Sequence, residues 1–362
     1  MRTLFYLTDT HWTGAARAFQ HAAQGLADRG EPVTVVCQAG AAIDASLRDT
    51  GVEVVTMPSV GSVAGDAWRM RAVLKAKFVE VAFLHTDHEH LVVSSAMRLA
   101  ERGAIIRRIP AGGVVSANRS LKLAGRMSSS RLLFSTESDR ARSAASDHGL
   151  VAPLGVNVST LQNAREASRA ALGVADDIQL IVCVVDRLAR SRINTALRTL
   201  ALLAARHREL RLVLVGHCEN VDDTRMHAAA LGVTRLVEFI GERVDMSAVL
   251  AAADVGWVAA EGDDGAFACL DFMAARVPVI AERSPLLSTF VPDGIAGVLL
   301  PRADPSDTAS AVAQFLADDG KRLAMGNAGR TRALRDFSDR AMVDGFAAAA
   351  NAAGDRTQWA AR

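Results

Sequence analysis

Acidic and small residues in the segment Asp263–Glu282 could bind a polar or anionic ligand. The segment reads DDGAFACLDFMAARVPVIAE, which predicts a loop, a helix and a strand that Pro278 opens. Small residues where a helix begins leave backbone N–H groups available to an anion or to a polar face of a sugar. The alternative is that Asp263, expected in the loop, only caps the helix. The residues assigned to ligand binding here are Asp263, Asp264, Gly265, Ala266, Phe267 and, inside the helix, Asp271.

A second candidate lies in the segment VVDRLARSRIN, which runs from Val184 to Asn194. Arg187 and Arg192 each offer a planar guanidinium that can hold two phosphate oxygens at once. Such groups can bind an anionic ligand. The alternative is a solvated loop that is rich in arginine.

Three histidines in the segment HTDHEH raise the question of a metal site. His85, His88 and His90 have carboxylates between them, and both residue types bind zinc. A strand that passes into a loop would turn these side chains to different sides, and no distant Cys or His set completes the group. We therefore expect no metal and no other cofactor.

Short apolar runs alternate with longer helical patterns along the chain, which predicts an α/β fold with two doubly wound parallel sheets. The strands predicted in the first half are Thr3–Leu7, Val33–Cys37, Val52–Met57, Val79–Leu84, Ala104–Arg108, Leu132–Ser135 and one around Val151. Those predicted in the second half are Gln179–Val185, Leu212–Gly216, Val237–Ile240, Val255–Val258, Pro278–Ala281 and Val298–Leu300.

A pause in this alternation between Gly155 and Asp177 predicts the domain boundary. We expect one domain over residues 1–157 and a second over residues 158–362, with a cleft between them. After Pro301 the pattern indicates two or three helices, and a polar, alanine-rich tail from about Asn351. These last helices are expected to pack back toward the N-terminal domain.

Length and composition suit two α/β cores, because the 362 residues are 50% hydrophobic and 22% charged. The formal charge of +1 gives no overall field that would attract nucleic acid, so no nucleic-acid partner is expected. The four scattered cysteines predict neither disulfides nor zinc ligation and favour the cytoplasm. The apolar run at the N-terminus is too short for a signal peptide, and no window predicts a transmembrane helix.

The segment Asp263–Glu282 resembles the signature of glycosyltransferase family four and its retaining relatives of the GT-B fold. In that signature two glutamates enclose a Gly-Phe-Gly and four mostly apolar residues, and Ala-Met-Ala and a Pro-Val-Ile-like strand follow. Counting back from Pro278, Asp271 falls on the second glutamate and Asp263 on the first. The segment VVDRLARSRIN is similar to the family's Gly-Arg-Leu segment, with Arg192 in place of a Lys.

The resemblance implies a GT-B architecture, in which two Rossmann-like domains face a cleft that binds a nucleotide-sugar donor. It implies metal-independent transfer of the sugar, with retention, to an acceptor that is a glycan, a lipid or a small molecule. Asp271 would bind the ribose hydroxyls and Asp263 the donor sugar. Arg187 and Arg192 would neutralise the diphosphate, so the catalytic residues implied are these two arginines and Asp263.

Further donor-binding residues follow from the same resemblance. LVLVGHCEN places Gly216 after a strand, and residues from Ile240 to Val244 would form the loop that holds the nucleobase. TDTHWTGAARAF keeps Gly14 from the family's Gly-Gly loop. A glycine there permits either close approach of the backbone to donor or acceptor, or simply a tight strand-to-helix turn.

Departures from the family pattern leave alternatives open. Both glutamates are aspartates here, Gly-Phe-Gly is replaced, and Glu261 could fill the role of the first carboxylate. Where the family often has a histidine, IIRRIPAGG carries Arg107 and Arg108. The alternatives are a GT-B pseudoenzyme that binds nucleotide or glycan without turnover, and a nucleotide-sugar epimerase.

A basic segment over residues 98–142 is the one strong charge asymmetry of the sequence. Leu121, Leu123 and Met127 interleave with Arg119 and other basic residues at helical spacing. This pattern predicts either a weak peripheral contact with the inner membrane surface or a solvated basic helix.

Overall fold

The computed structural model describes residues 1–115, 129–143, 149–157, 165–186, 190–207, 209–218 and 220–360. Arg187 and much of the basic segment, Arg119 included, lie outside these residues. The chain forms two compact units, Met1–Leu154 with Asp339–Arg362 and Gly155–Ser338. The expected boundary lay at residue 157, whereas the second unit begins at Gly155, and the last helix belongs to the first unit.

The first unit is built on a seven-stranded parallel sheet with the order β3-β2-β1-β4-β5-β6-β7. Its strands are β1 (Thr3–Tyr6), β2 (Val33–Gln38), β3 (Glu53–Met57), β4 (Val81–Leu84), β5 (Ala104–Arg108), β6 (Ser130–Phe134) and β7 (Gly149–Val151). The central strands β1 and β4 are buried along their whole length, as apolar runs covered by helices on both faces require.

The second unit is built on a six-stranded parallel sheet with the order β10-β9-β8-β11-β12-β13. Its strands are β8 (Gln179–Val185), β9 (Leu210–Val215), β10 (Val237–Gly241), β11 (Val255–Ala259), β12 (Val279–Glu282) and β13 (Gly297–Leu300). The prediction of two doubly wound parallel sheets is confirmed, and each predicted strand is present to within two residues at its ends.

Helices connect the strands. Those described in the first unit are α1 (Gly14–Ala27), α2 (Ala42–Ser46), α3 (Val63–Ala76), α4 (Asp87–Ala100) and α5 (Glu137–Arg142). The second unit has α6 (Arg165–Ala171), α7 (Arg190–Ala204), α8 (Val221–Ala230), α9 (Ser247–Ala252), α10 (Gly262–Ala274), α11 (Leu287–Phe290), α12 (Pro305–Ala317) and α13 (Asp319–Asp336). The last helix, α14 (Asp339–Ala360), returns to the first unit.

Helix α14 completes the core of the first unit. The ring of Phe346 on α14 lies 5.2 Å from that of Phe83 on β4 and 6.1 Å from that of Phe5 on β1, measured between centroids. Residues from Asn351 to Ala360, expected as a polar tail, continue this helix instead. Within the described chain, no helix combines the length and apolar character that crossing a bilayer requires.

Candidate functional site

The second sheet reverses its strand order between β8 and β11, which are neighbours at its centre. From β8 the chain proceeds to β9 and β10 on one side, and from β11 it proceeds to β12 and β13 on the other. The connections that follow these two strands therefore diverge, and a crevice opens at the carboxyl ends of the strands. Open α/β sheets bind their ligands at such a point.

Arg192, on α7, lies at this reversal, and two carboxylates bind its guanidinium. One belongs to Asp186, directly after β8, and the other to Glu261, two residues after β11. The carboxylate of Asp186 also accepts a hydrogen bond from the backbone N–H of Glu261 at 3.1 Å. The side chain of Glu261 is 79% exposed, against 15% for Asp186. An anionic ligand would therefore displace Glu261 from Arg192 more readily than Asp186.

Gly216 follows β9 at a point where the backbone approaches β8 very closely. Its φ is +131°, and a Cβ atom at this position would lie 2.2 Å from the carbonyl oxygen of Val185. The N–H of Gly216 donates to the carbonyl of Gly241 at 3.0 Å and so joins the ends of β9 and β10. Packing against Val185, the residue before Asp186, is therefore enough to require glycine at position 216.

The predicted nucleobase loop begins later than expected. Ile240 belongs to β10, which ends at Gly241 with a φ of +71°. The loop therefore starts at Glu242, and the prediction that Ile240 belongs to it is wrong. Val244 does lie in this loop, with 52% of its surface exposed. An exposed apolar side chain in this position is open to contact by a ligand.

Helix α10 begins earlier than expected, because Gly262 is its first residue and Glu261 occupies the N-cap position without a side-chain cap bond. Asp263 and Asp264 therefore lie in the first helical turn, where the helix dipole favours carboxylates. The prediction that Asp263 lies in the loop before the helix is wrong. The alternative that Asp263 caps the helix is wrong for the same reason.

Small residues let the start of α10 pack against the end of β11. A Cβ atom on Gly265 would lie 2.3 Å from the carbonyl oxygen of Ala260. Ala266 and Phe267 are buried in the same turn. The small residues at this position thus satisfy a packing requirement, and any binding of ligand there would involve backbone groups at the helix start.

Asp271 is buried on the same helix, with 6% of its surface exposed. It lies eight residues after Asp263, which corresponds to about 12 Å along the helix axis and about 80° around it. Burial, and then the negative charge of Asp271, raises the pKa of the neighbouring Cys269 thiol. The two carboxylates therefore occupy different levels of α10, and both are buried.

A cavity of about 120 Å³ opens beside Arg192 and Glu261. Residues that follow β12, among them Arg283 and Ser284, line its other side. Asp186 and Arg283 were missed by sequence reasoning. The signal for Asp186 was present, because an acidic residue directly after a buried strand occupies the ligand-binding edge of a parallel sheet.

The first sheet has a reversal point of its own, between β1 and β4, and Glu89 joins the two strand ends there. Its fully buried carboxylate accepts hydrogen bonds from the N–H of Thr8 after β1, at 2.7 Å, and from the N–H groups of His85 and Thr86 after β4. Sequence reasoning missed Glu89, although Thr86 and Glu89 form a capping box that the sequence spells out. Gly14, which follows β1 and Thr8 in the chain, is the first residue of α1 and is buried.

The histidines of the HTDHEH segment face different partners. His88 Nε2 lies 3.5 Å from a carboxylate oxygen of Asp66 on α3. His90 is 1% exposed on α4, and burial followed by the charge of Arg107 lowers its pKa to about 4. Arg107 itself forms an ion pair with Asp87 at 2.5 Å. These contacts give His88 and His90 structural environments within the first unit.

The second unit matches a known protein family over most of its length. Residues 164–332 match the family described as "Glycosyl transferases group 1". This range includes the segments that carry Arg192, Gly216, Asp263 and Asp271.

Curated proteins with similar sequences are named as glycosyltransferases. The chain is 28% identical over 316 residues to a D-inositol 3-phosphate glycosyltransferase of Geodermatophilus obscurus, covering 82% of this chain and 64% of that protein. It is 27% identical over 292 residues to the protein of the same name from Corynebacterium kroppenstedtii, covering 76% of this chain and 61% of that one. The chain thus spans somewhat less than two thirds of these relatives.

Solved structures share the fold over nearly the whole chain. Anabaena Alr3699/HepE in complex with UDP-glucose superposes with a TM-score of 0.80 at 17% identity, covering 97% of this chain and 100% of that one. WaaG, a glycosyltransferase involved in lipopolysaccharide biosynthesis, gives 0.72 at 18% identity, covering 97% and 99%. At such identities the similarity establishes the fold.

Proposed function

We propose that the protein transfers a sugar from a nucleotide-diphosphate sugar to an acceptor, from the premise that residues 164–332 match the Glycosyl transferases group 1 family and that the two units share the fold of GT-B glycosyltransferases. The observation that carries the proposal is the position of Arg192. Its guanidinium lies at the strand-order reversal of the second sheet, where its more exposed carboxylate partner can yield to a diphosphate.

In this proposal the donor is bound along the carboxyl edge of the second sheet. Arg192, together with Arg187, neutralises the diphosphate as the bond between the sugar carbon and the phosphate oxygen breaks. The acceptor oxygen bonds to that carbon, and its proton passes to the departing phosphate. The enzyme supplies position and charge, so neither a protein base nor a metal ion is required.

Two carboxylates complete the proposed donor site. Asp271 binds the ribose hydroxyls, and Asp263 or Glu261 contacts the sugar. Retention of configuration at the sugar is part of the proposal and rests on the resemblance to glycosyltransferase family four. Because arginines neutralise the diphosphate in this proposal and no metal ion is required, addition of a chelator should leave turnover unchanged.

The donor class is proposed from the neighbouring structures, since Alr3699/HepE was solved with UDP-glucose. The acceptor is proposed to be a glycan, a lipid or a phosphorylated small molecule. D-inositol 3-phosphate is the first acceptor to test, because the relatives from Geodermatophilus obscurus and Corynebacterium kroppenstedtii are named for it.

The test is incubation of the protein with UDP-, GDP- and ADP-sugars, with and without D-inositol 3-phosphate. Released nucleoside diphosphate and the identity of the sugar are followed. Release that depends on acceptor and is lost in Arg192→Gln supports transfer, with Arg198→Gln, an exposed arginine elsewhere on α7, as the matched control. Binding without release would indicate a pseudoenzyme, and a changed sugar without transfer would indicate an epimerase.

A further inference from the structure

A second, larger cavity of about 580 Å³ opens at the opposite edge of the second sheet. Its lining includes Asp254, directly before β11, and Arg276, shortly before β12. It therefore lies at the amino edge of the strands, whereas Arg192 lies at the carboxyl edge. Strand β11 separates the two edges by roughly 17 Å. A cavity of this volume is in the size range of small-molecule sites.

Arginine dominates the chemistry of this cavity. Four of its lining residues are arginines and one is an aspartate, namely Arg165, Arg276, Arg322, Arg330 and Asp254. The buried Arg169 lies behind them and contacts the same aspartate at 3.4 Å. Asp319, which is exposed, pairs with Arg322 at 2.8 Å. The guanidinium groups therefore outnumber the carboxylates that they contact.

Part of this positive charge has a structural role. Arg165 binds the carboxylate of Asp254 at 2.6 Å and the carbonyl of Ala253 at 2.7 Å. Arg330 donates to the carbonyl of Ala274 at the end of α10, at 2.5 Å. Carbonyl groups at helix ends carry partial negative charge and favour such cations. The exposed side chain of Arg276 makes no hydrogen bond or ion pair with the residues that the structure describes.

Arg276 occupies a backbone position that favours glycine. It follows α10 with a φ of +63°, and its N–H donates to Met273 while that of Val277 donates to Phe272, which forms a Schellman motif. A Cβ atom on Gly326 of α13 would lie only 1.9 Å from the carbonyl oxygen of Arg276. The backbone that carries the guanidinium is thus held tightly between α10 and α13.

Arg330 faces the same space from α13. Burial, and then the positive charge of Arg276, lowers the pKa of Arg330. Two guanidinium groups that repel each other in one cavity gain stability when an anion lies between them. A phosphate group suits this arrangement, because each planar guanidinium can bind two of its oxygens.

We propose that this cavity binds a small phosphate-bearing anion between Arg276 and Arg330, at a site separate from the candidate donor site. The volume of the cavity suits a small soluble molecule, which is the occupant proposed here. Such a ligand would contact the C-terminal end of α10, whose N-terminal end lies at the candidate donor site.

The test is calorimetric titration with inorganic pyrophosphate. Because pyrophosphate could also bind at the donor site, the titration is made in an Arg187→Gln/Arg192→Gln background, where the phosphate contacts proposed for that site are absent. We expect binding to persist there and to weaken about tenfold on adding Arg276→Gln, since a charge-assisted contact is lost. Addition of Arg198→Gln is the matched control and should leave the affinity unchanged.

A second variant separates binding from folding. Arg276→Gly relieves the left-handed backbone, so it should raise or preserve the melting temperature of the free protein while weakening pyrophosphate binding as Arg276→Gln does. The proposal is overturned if the Arg187→Gln/Arg192→Gln protein no longer binds pyrophosphate. It is equally overturned if both Arg276 variants bind as tightly as their parent, or if only vesicles of phosphatidylglycerol bind in an Arg276-dependent manner.

Discussion

Arg192 is shared between two carboxylates of unequal exposure, and this has consequences for the binding of an anion. A diphosphate that binds Arg192 must compete with Glu261. We therefore predict that Glu261→Gln tightens binding of the preferred nucleoside diphosphate up to about fivefold, because exposed ion pairs contribute about 1 kcal/mol at most. Calorimetric titration measures this. Glu238→Gln, an exposed glutamate on β10, is the control. Weaker binding in Glu261→Gln would mean that Glu261 itself contacts the ligand.

Asp271 is predicted to bind the ribose of the donor, and the structure changes the comparison that tests it. Asp264 was expected in a loop, but it lies in the same helix as Asp271, so flexibility does not distinguish them. We still expect Asp271→Asn to weaken donor binding by one to two decades, because charged hydrogen bonds contribute about 1.5 to 3 kcal/mol each. Asp264→Asn should have a smaller effect.

A purely structural role for Asp271 has a different signature. The Asn variant would then lower the melting temperature while the folded fraction kept its nucleotide affinity. Both quantities are to be measured on one preparation. Unchanged affinity in a stable Asp271→Asn protein would remove this residue from the proposed site.

His90 gives the folded protein a dependence on pH. Its pKa is lowered to about 4, below the ordinary value of 6.5, so the unfolded chain binds more protons between these values. The free energy of unfolding should therefore fall as pH decreases from about 6.5 to about 4, by at most about 1.4 kcal/mol per pH unit from this group. Above about 6.5 His90 should contribute no slope.

The measurement is urea unfolding at several pH values on wild type and His90→Gln. We expect the variant to lose part of the slope below pH 6.5, whatever its stability at neutral pH. His207→Gln, in the turn after α7, is the matched control. Identical slopes in wild type and His90→Gln would show that His90 does not titrate as proposed.

At the level of elements, the start of α10 depends on the absence of a side chain at Gly265. We predict that Gly265→Ala lowers the free energy of unfolding by about 1 to 3 kcal/mol, because the added methyl group would meet the carbonyl of Ala260. Gly320→Ala on α13 is the contrasting control, since a Cβ atom there would meet only a side-chain oxygen of Asp318 at 3.3 Å. Alanine there should stabilise the helix by up to about 1 kcal/mol. Equal effects of the two substitutions would contradict this packing argument.

Elements were easier to predict than their ends. Buried strands such as β8 are continuous apolar runs bounded by polar residues, so the sequence alone located them. The start of α10 was misplaced because aspartate is favoured both directly before a helix and in its first turn, so Asp263 and Asp264 do not mark which residue begins the helix. The last turns of α14 were missed because a polar, alanine-rich segment carries no strong periodic signal.

The candidate site was predictable in part for the same reason. Arg192 and Asp271 were each selected by their spacing from neighbouring residues of their own segment, and the sequence displays that spacing directly. The ion pair of Arg192 with Glu261 and the hydrogen bond from the N–H of Glu261 to Asp186 join segments about 70 residues apart in the chain, and only the strand order brings them together. The buried bonds of Glu89 across β1 and β4 depend on tertiary structure in the same way.

On the scale of the whole molecule, the chain enters the second unit at Gly155 and leaves it at Ser338. The first unit therefore contains segments from before and after the second unit, and its core includes Phe346. During synthesis, all residues of the second unit leave the ribosome before α14 does. The second unit can thus finish folding first, although it begins later in the sequence. The sheet of the first unit lacks one covering helix until α14 has been synthesised, and the apolar surface beneath Phe346 is uncovered until then.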